Sequence, residues 1–394
     1  ELTVNPDYIN ETVVNVWYKD LGYINLVDKD GHYINSNGEV VENKEAAVRR
    51  QYKNDFNDTT RADVTEIPQA PVGWKISDKQ SIRGYDAETK TIDPNDDNDL
   101  DAVGKDSNVV IEKENQKAII RYVSTNGNRV LTTDEVTGKS GEAIAYSTTS
   151  QINEFKKQGY KLVSDEFTSG GAKVYDYDTA RDQVYTVTLS ERVEPVNPDN
   201  PTPQPNTPVN PGQPDSPRWP GTVENLDNKE SVSRTIHYVY EDGSKAKDDV
   251  VETLNFKRWS NVNLVTGHID FQDWTTNDDT FDKVVSPTIA GYTADKSEIP
   301  AVSGVQAKDQ DRVETVTYRK DAQKAIIRYV STNGNRVLTT DEVTGKSGEA
   351  IAYSTTSQIT EFKKQGYKLV SDEFTAGGAK VYDYDTARDQ VYTV

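Results

Sequence analysis

Cysteine and methionine are both absent from this 394-residue chain. No disulfide framework, thiolate nucleophile or Cys-ligated metal is therefore available. A chain without oxidisable sulfur suits an exposed, oxidising setting, with compositional drift as the alternative explanation. Histidine is scarce as well: His32, His237 and His268 stand alone, and no GxSxG, HExxH or glycine-rich phosphate loop occurs. The usual signatures of nucleophilic, zinc and nucleotide chemistry are thus missing. Carboxylates are plentiful enough that composition alone does not exclude a glycosidase pair, but repeated small modules do not build the single deep cleft such an enzyme needs. No run of eighteen apolar residues exists, so membrane insertion is not expected. Positive charge is also short: 45 Lys and Arg face 65 Asp and Glu, a formal net charge of −20. Nucleic acid and anionic membranes, which attract basic patches, are poor partners for such a surface. With no initiating Met at Glu1 and an apparent strand cut at Val394, the chain reads as a monomeric, elongated fragment of something longer.

What is present points to strands. Tyrosine (22) far outnumbers phenylalanine (8), and Val, Ile and Thr are frequent, a composition that fits pleated, half-buried surfaces. The residues from Gln116 to Val187 recur as Gln323 to Val394, differing only at Asn153 against Thr360 and Ser169 against Ala376. A constant offset of 207 residues is domain-sized, well beyond a solenoid turn. Between the copies, Pro195 to Pro220 holds ten of the sixteen prolines. A 26-residue linker of this kind spans roughly 80 Å at about 3.1 Å per residue in polyproline II geometry. The expected organisation is a first A module over 1–115, a B module over 116–190, a linker over 191–221, a second A module over 222–320 and a second B module over 321–394.

Local patterns fill in these modules. Val13–Tyr18 and Ile24–Val27 read as strands, Asp28–Gly31 and Asn35–Gly38 as turns, and Glu45–Tyr52 as a short helix on its Val48/Tyr52 spacing. In the B module Ala118–Val123 and Arg129–Val136 read as a hairpin closed by Thr125–Asn128, where Asn126-Gly127 suits a type I′ turn. Thr149 or Ser150 is placed to cap a helix carrying Ile152 and Phe155, with Gly159 just past its end. Tyr160–Val163, Lys173–Tyr175 and Val184–Val187 complete the strands. The fold class expected is mostly β with short helices (α+β), built as a tandem array of β-grasp-like, ubiquitin-like modules. The second A module opens with Thr235–Tyr240, the turn Glu241–Ser244 and a return strand over Val250–Phe256. Its Ala290-Gly291-Tyr292 loosely echoes Val72-Gly73-Trp74.

The run RTIHYVYEDGSKAKDDVVETLNF at Arg234 to Phe256, the AIIRYV and GYKLVSDEF runs of each B module, and a period near 200 with an Asn/Pro-rich joint resemble the mucus-binding (Mub, MucBP-type) repeats of lactobacillar cell-surface adhesins. The resemblance covers essentially the whole chain. It implies tandem two-part repeats on a wall-anchored extracellular rod of a Gram-positive bacterium, binding mucin glycans without catalysis. Immunoglobulin binding, or a passive stalk spacing a distal domain, are the alternatives. No catalytic residues are implied.

Two sets of side chains are candidates for ligands. Asp93, Asp96, Asp97, Asp99 and Asp101 crowd hard oxygen ligands into one loop, as calcium prefers, although the same residues suit a solvated turn. Asp28-Lys29-Asp30-Gly31 has the look of a calcium turn without EF-hand spacing. On this reading no cofactor is required and Ca²⁺ is at most structural. For sugars, flat aromatic faces beside planar amides are needed, and Trp259 and Trp274 lie among Asn261, Asn263 and Gln272. Each Trp can equally fill a small core.

Overall fold

The computed structural model describes residues 15–213 and 215–394. Strands dominate, and the α-helices among the described residues are two nine-residue segments. The chain divides into two compact units. Of the described residues, one holds those up to Val193 with those in Asn206–Pro220 and Asn263–Thr266, and the other holds Glu194–Pro205, Gly221–Val262 and Gly267–Val394.

In the first unit, strand β1 (Tyr23–Val27) lies between β3 (Ser107–Lys113), to which it is parallel, and the antiparallel segments Tyr33–Ile34 and Arg49–Gln51. Strand β2 (Trp74–Ile76) adds antiparallel to β3. Ile24, Leu26, Ile34, Tyr52, Val109 and Ile111 form its core. Gly31 and Gly38 take the left-handed conformations expected of the two turns. The helix expected over Glu45–Tyr52 is not formed. Asn43 caps a single 3₁₀ turn, Lys44–Ala46, and Arg49–Gln51 joins the sheet beside β1, so strand pairing overrides a two-residue helical periodicity. Asn15–Tyr18 form no strand, and Trp17 and Tyr18 are exposed; Val13 and Val14 lie outside the described residues.

The neighbouring B region is a four-stranded mixed sheet. Its strands are β4 (Asn115–Ser124), β5 (Arg129–Lys139), β6 (Tyr160–Asp165) and β7 (Gln183–Glu191), in the order β5-β4-β7-β6, with β4 and β7 parallel. Helix α1 (Thr149–Lys157) buries Ile152 and Phe155 against one face, where Phe155 meets Tyr160 edge-on at 5.6 Å. Three expectations need correction. The left-handed pair in the hairpin loop is Gly127-Asn128 rather than Asn126-Gly127, because Ser124 pairs with Arg129 across a four-residue loop. The residue before the helix is Thr148, whose hydroxyl is drawn to Asp165 Oδ2 at 2.6 Å instead of capping. Lys173–Tyr175 is shortened to an isolated antiparallel bridge, Val174 opposite Ala143, with the Tyr175 N–H donating to the Glu142 carbonyl; Gln183 Nε2 donates to the Val174 carbonyl and Gln183 Oε1 accepts from the Asp176 N–H. The linker also departs from a uniform polyproline rod. Asn206 takes a left-handed conformation, its N–H donates to Trp219 O at 2.9 Å, and Val209 N–H donates to Pro217 O at 2.9 Å, folding this stretch into a local turn.

The second unit repeats the plan. Strands β8 (Lys229–Tyr240), β9 (Lys245–Lys257), β10 (Tyr292–Ala294) and β11 (Arg312–Lys320) form a sheet in the order β9-β8-β11-β10, with β8 and β11 parallel. The second B region has β12 (Ala322–Ser331), β13 (Arg336–Lys346), helix α2 (Thr356–Lys364) and β14 (Gln390–Thr393), which runs parallel to β12.

Both units join their two halves in the same way. A single residue, Glu114 or Asp321, separates β3 from β4 and β11 from β12. Its N–H donates to the carbonyl of Gly73 or Gly291, each at 2.8 Å, and its carbonyl accepts from the N–H of Ser140 or Ser347. Gly73 and Gly291 have φ near +80°, and a Cβ on either would lie within 2.3 Å of the ring of Tyr177 or Tyr384. The faint echo between Val72-Gly73-Trp74 and Ala290-Gly291-Tyr292 is therefore this joint: a backbone turn that only glycine fits, followed by a strand paired to the last strand of the A region.

Candidate functional site

Trp259 follows β9 and is 42% exposed, and its carbonyl accepts from the Gln272 N–H at 2.9 Å. The antiparallel pair Ser260–Asn263 and Ile269–Phe271 sets Asn261 opposite Asp270. Trp259, Asn261 and Gln272 thus share one small hairpin, with Phe271 also partly exposed. Trp274 plays another part. The Arg258 guanidinium stacks 4.2 Å from the Trp274 ring and 4.0 Å from Phe271, and Lys308 Nζ lies 5.5 Å from Trp274, so cations occupy the indole faces a sugar would need. Arg258 Nη2 donates to Asp227 Oδ2 at 2.9 Å. Burial would raise the Asp227 pKa, but Lys308 and Arg258 hold it below the usual carboxylate range. Asn263 does not join the hairpin cluster: its Nδ2 donates to Glu191 at 2.7 Å and its Oδ1 accepts from the Val265 N–H. A groove of about 290 Å³ lies alongside β9, lined by Asn255, Lys257, Thr275 and Asn277 among others.

The Asp93–Asp101 loop is organised by cations of the protein itself. Arg83 pairs with Asp96, Arg61 with Asp97 at 2.8 Å, Lys105 with Asp99 at 2.6 Å and Lys19 with Asp101. Asp93 accepts from the Asn95 N–H and amide. Among the described residues, the group of three whose ligand atoms lie within 4.8 Å of one another is instead Asp28, Asp30 and His32. There Asp28 Oδ2 lies 3.0 Å from His32 Nδ1, and Asp28 Oδ1 accepts from the N–H groups of Asp30 and His32. The DxDG spacing marks this turn in the sequence, but the arrival of His32 depends on how the turn closes. His237 and His268 each face one carboxylate, Asp249 and Asp270.

Residues that stand out in the motifs prove to be structural. Arg234, 1% exposed, donates from Nε to Glu252 at 2.6 Å and from Nη1 to Pro300 O at 2.9 Å. In each B region two tyrosine hydroxyls and a carboxylate form a chain, Tyr122–Tyr146–Asp134 and Tyr329–Tyr353–Asp341. Burial, and then the bond to the carboxylate, push the Tyr146 and Tyr353 hydroxyls far above the normal phenol range, so they act as fixed donors. The strand alternation puts Tyr122 and Arg234 on the buried faces of β4 and β8, but nothing in the sequence marks Tyr146 and Asp134, or Glu252 and the Pro300 carbonyl, as their partners.

A mucin binding domain model matches residues 116–191 and 323–394, and a Muc B2-like domain model matches 223–322, together well over half of the chain. The chain belongs to the mucus-binding, MucBP-type repeat family. Among solved structures, Mub-RV is 26% identical, covering 52% of this chain and 99% of its own, with a TM-score of 0.42. The type 2 repeat of the mucus binding protein MUB from Lactobacillus reuteri is 27% identical over 52% of this chain and 100% of its own, at a TM-score of 0.36. The MucBP domain of an adhesion protein from Pediococcus pentosaceus is 36% identical, covering 23% of this chain and 98% of its own, at 0.21. No curated protein matches. For a MucBP-type chain, the two mucin binding matches fall on the two copies of the repeated stretch, and the Muc B2-like match falls on the A region that carries Trp259.

Proposed function

We propose that this chain is a non-catalytic segment of an extracellular, wall-anchored adhesin that binds mucin glycans multivalently. The observation that carries this reading is the presence of two mucin binding domain matches in one chain. Linked sites raise one another's effective concentration, so weak sites hold firmly together without any tight one. The five-part division into A, B, linker, A and B modules fits these matches. The connectivity of the B region, a parallel pair of first and last strands flanked by antiparallel neighbours with one helix packed across, supports a β-grasp-like assignment.

Trp259, with Asn261 and Gln272, is the aromatic face we assign to sugar stacking, whereas Trp274 serves packing beneath Arg258. Calcium, if it enters the Asp93–Asp101 loop, has to displace four Lys or Arg partners. The test of the whole reading is mucin capture by the full chain before and after periodate oxidation of the mucin. Loss of capture is expected. Retained capture would refute glycan recognition and favour a protein ligand such as immunoglobulin, added along a free sheet edge.

A further inference from the structure

Among the described residues, each of the four modules places its first and last strands side by side and parallel. Strand β1 pairs with β3 from Ile24↔Ser107 to Val27↔Val110, and β4 pairs with β7 from Ala118↔Gln183 to Ser124↔Leu189. Strand β8 pairs with β11 from Arg234↔Arg312 to Tyr240↔Tyr318, and β12 pairs with β14 from Ala325↔Gln390 to Arg328↔Thr393. We propose that these modules bear tension, each acting as a shear clamp in which the parallel pair of entry and exit strands resists pulling along the chain.

The argument is geometric. Tension enters a module at the start of its first strand and leaves at the end of its last. In a parallel pair those two points lie at opposite ends of the ladder, so separating them slides one strand along the other and loads every rung together. In an antiparallel hairpin the same two points lie at one end, and the rungs part singly. A backbone hydrogen bond contributes only about 1 kcal/mol net, so a ladder resists force well when its bonds must fail collectively. Forced unfolding is governed by the unfolding barrier, which this loading geometry raises without any change in equilibrium stability.

The joints continue the load path. The exit strand β3 becomes the entry strand β4 through Glu114 alone, and β11 becomes β12 through Asp321 alone. Each joint residue is tied laterally to Gly73 or Gly291 and to Ser140 or Ser347, so within each unit no slack loop separates the two clamps. This property holds whichever ligand the adhesin takes. It suits a protein that must hold a cell against flow.

Because the chain has no cysteine, introduced pairs give unique handles for single-molecule pulling on the full chain. Asn115→Cys with Ser190→Cys loads β4 and β7 in shear. Asn115→Cys with Arg181→Cys pulls from one end of the ladder, where both residues line the same groove, and peels it. The shear pair is expected to unfold at a several-fold higher force; equal forces would overturn the proposal. Should the first pair fail to refold between pulls, Lys117→Cys with Thr188→Cys repeats the shear geometry.

Discussion

Two B regions share nearly the same seventy-two residues, but the sequence given ends at Val394, the counterpart of Val187, so only the first copy includes Thr188–Glu191. In the first, β7 runs on to Glu191 and pairs with β6, so Leu162 faces Leu189 and Tyr160 faces Glu191. In the second, β14 runs only from Gln390 to Thr393, and Tyr367–Ser371 form no strand although their sequence equals that of Tyr160–Ser164. Leu189 is fully buried in the first copy, whereas Tyr367 and Leu369 are exposed in the second, around a cavity of about 480 Å³ also lined by Tyr329, Ile359 and Phe362. Helix α2 accordingly buries nothing fully, while α1 buries Ile152 and Phe155. The hairpins, helices and tyrosine chains are common to both copies because their partners lie inside the repeat. The copies differ at Tyr367–Ser371, whose first-copy counterparts pair with residues up to Glu191 that have no counterpart in the sequence given. In the first copy the end of β7 is thus what pairs with β6, on the sheet against which α1 buries Ile152 and Phe155.

The largest test of that comparison is Leu189→Ala. Removing a fully buried Leu is expected to cost about 2–5 kcal/mol in denaturant unfolding. Hydrogen exchange in α1 should then rise towards that of α2. Unchanged protection in α1 would mean that β7 is not what seats the helix.

A second test asks whether the joints are as alike as they look, given how far the A regions have diverged. Gly73→Ala and Gly291→Ala each force a Cβ into a tyrosine ring at a left-handed position. Each is expected to cost about 1–3 kcal/mol. The loss should be similar in both units and visible as separated melting of A and B regions. A large effect in one unit only would show that the joints are not equivalent.

A smaller effect is expected from acid. Burial opposes ionisation of Asp106, but Lys44 at 2.8 Å and the Tyr23 N–H at 2.9 Å hold its pKa below the usual value. Burial likewise opposes ionisation of Asp372, which the Thr355 hydroxyl and the Thr375 and Phe374 N–H groups outweigh. A depressed carboxylate pKa contributes stability above the unfolded value near 4, and that contribution is lost as pH falls through the lower folded value. Melting followed from pH 6 to 3 should show stability falling at the acid end, less steeply in Asp106→Asn. Mucin capture over the same range is expected to rise until unfolding intervenes, since protonation removes repulsion between an acidic adhesin and anionic glycans.

The smallest effect concerns calcium. With Arg61, Arg83, Lys19 and Lys105 already on the Asp93–Asp101 carboxylates, EDTA and added Ca²⁺ should leave the melting temperature unchanged. A clear calcium-dependent rise would show that the ion displaces these cations.

Much of the fold is legible residue by residue. The alternation in Ala118–Val123 and Thr235–Tyr240, the glycine turns, and Ile152 with Phe155 on one helix face report local periodicities, and these all form. The candidate site was legible only in part. Trp259, Asn261 and Gln272 do meet on one hairpin, but nothing in the sequence places Arg258 over Trp274 or turns Asn263 towards Glu191. Such contacts join residues far apart in the chain and have no period.

From the sequence alone, this protein is a tandem of small β-rich modules without sulfur chemistry or strong positive charge. Repeats and alternation are local, covalent properties that survive in any conformation. Tertiary structure decided which strand closes each sheet, which tryptophan face stays open, and what the glycines at 73 and 291 are for. Those outcomes depend on burial and on hydrogen bonds between distant segments, whose energies exist only once the chain has folded.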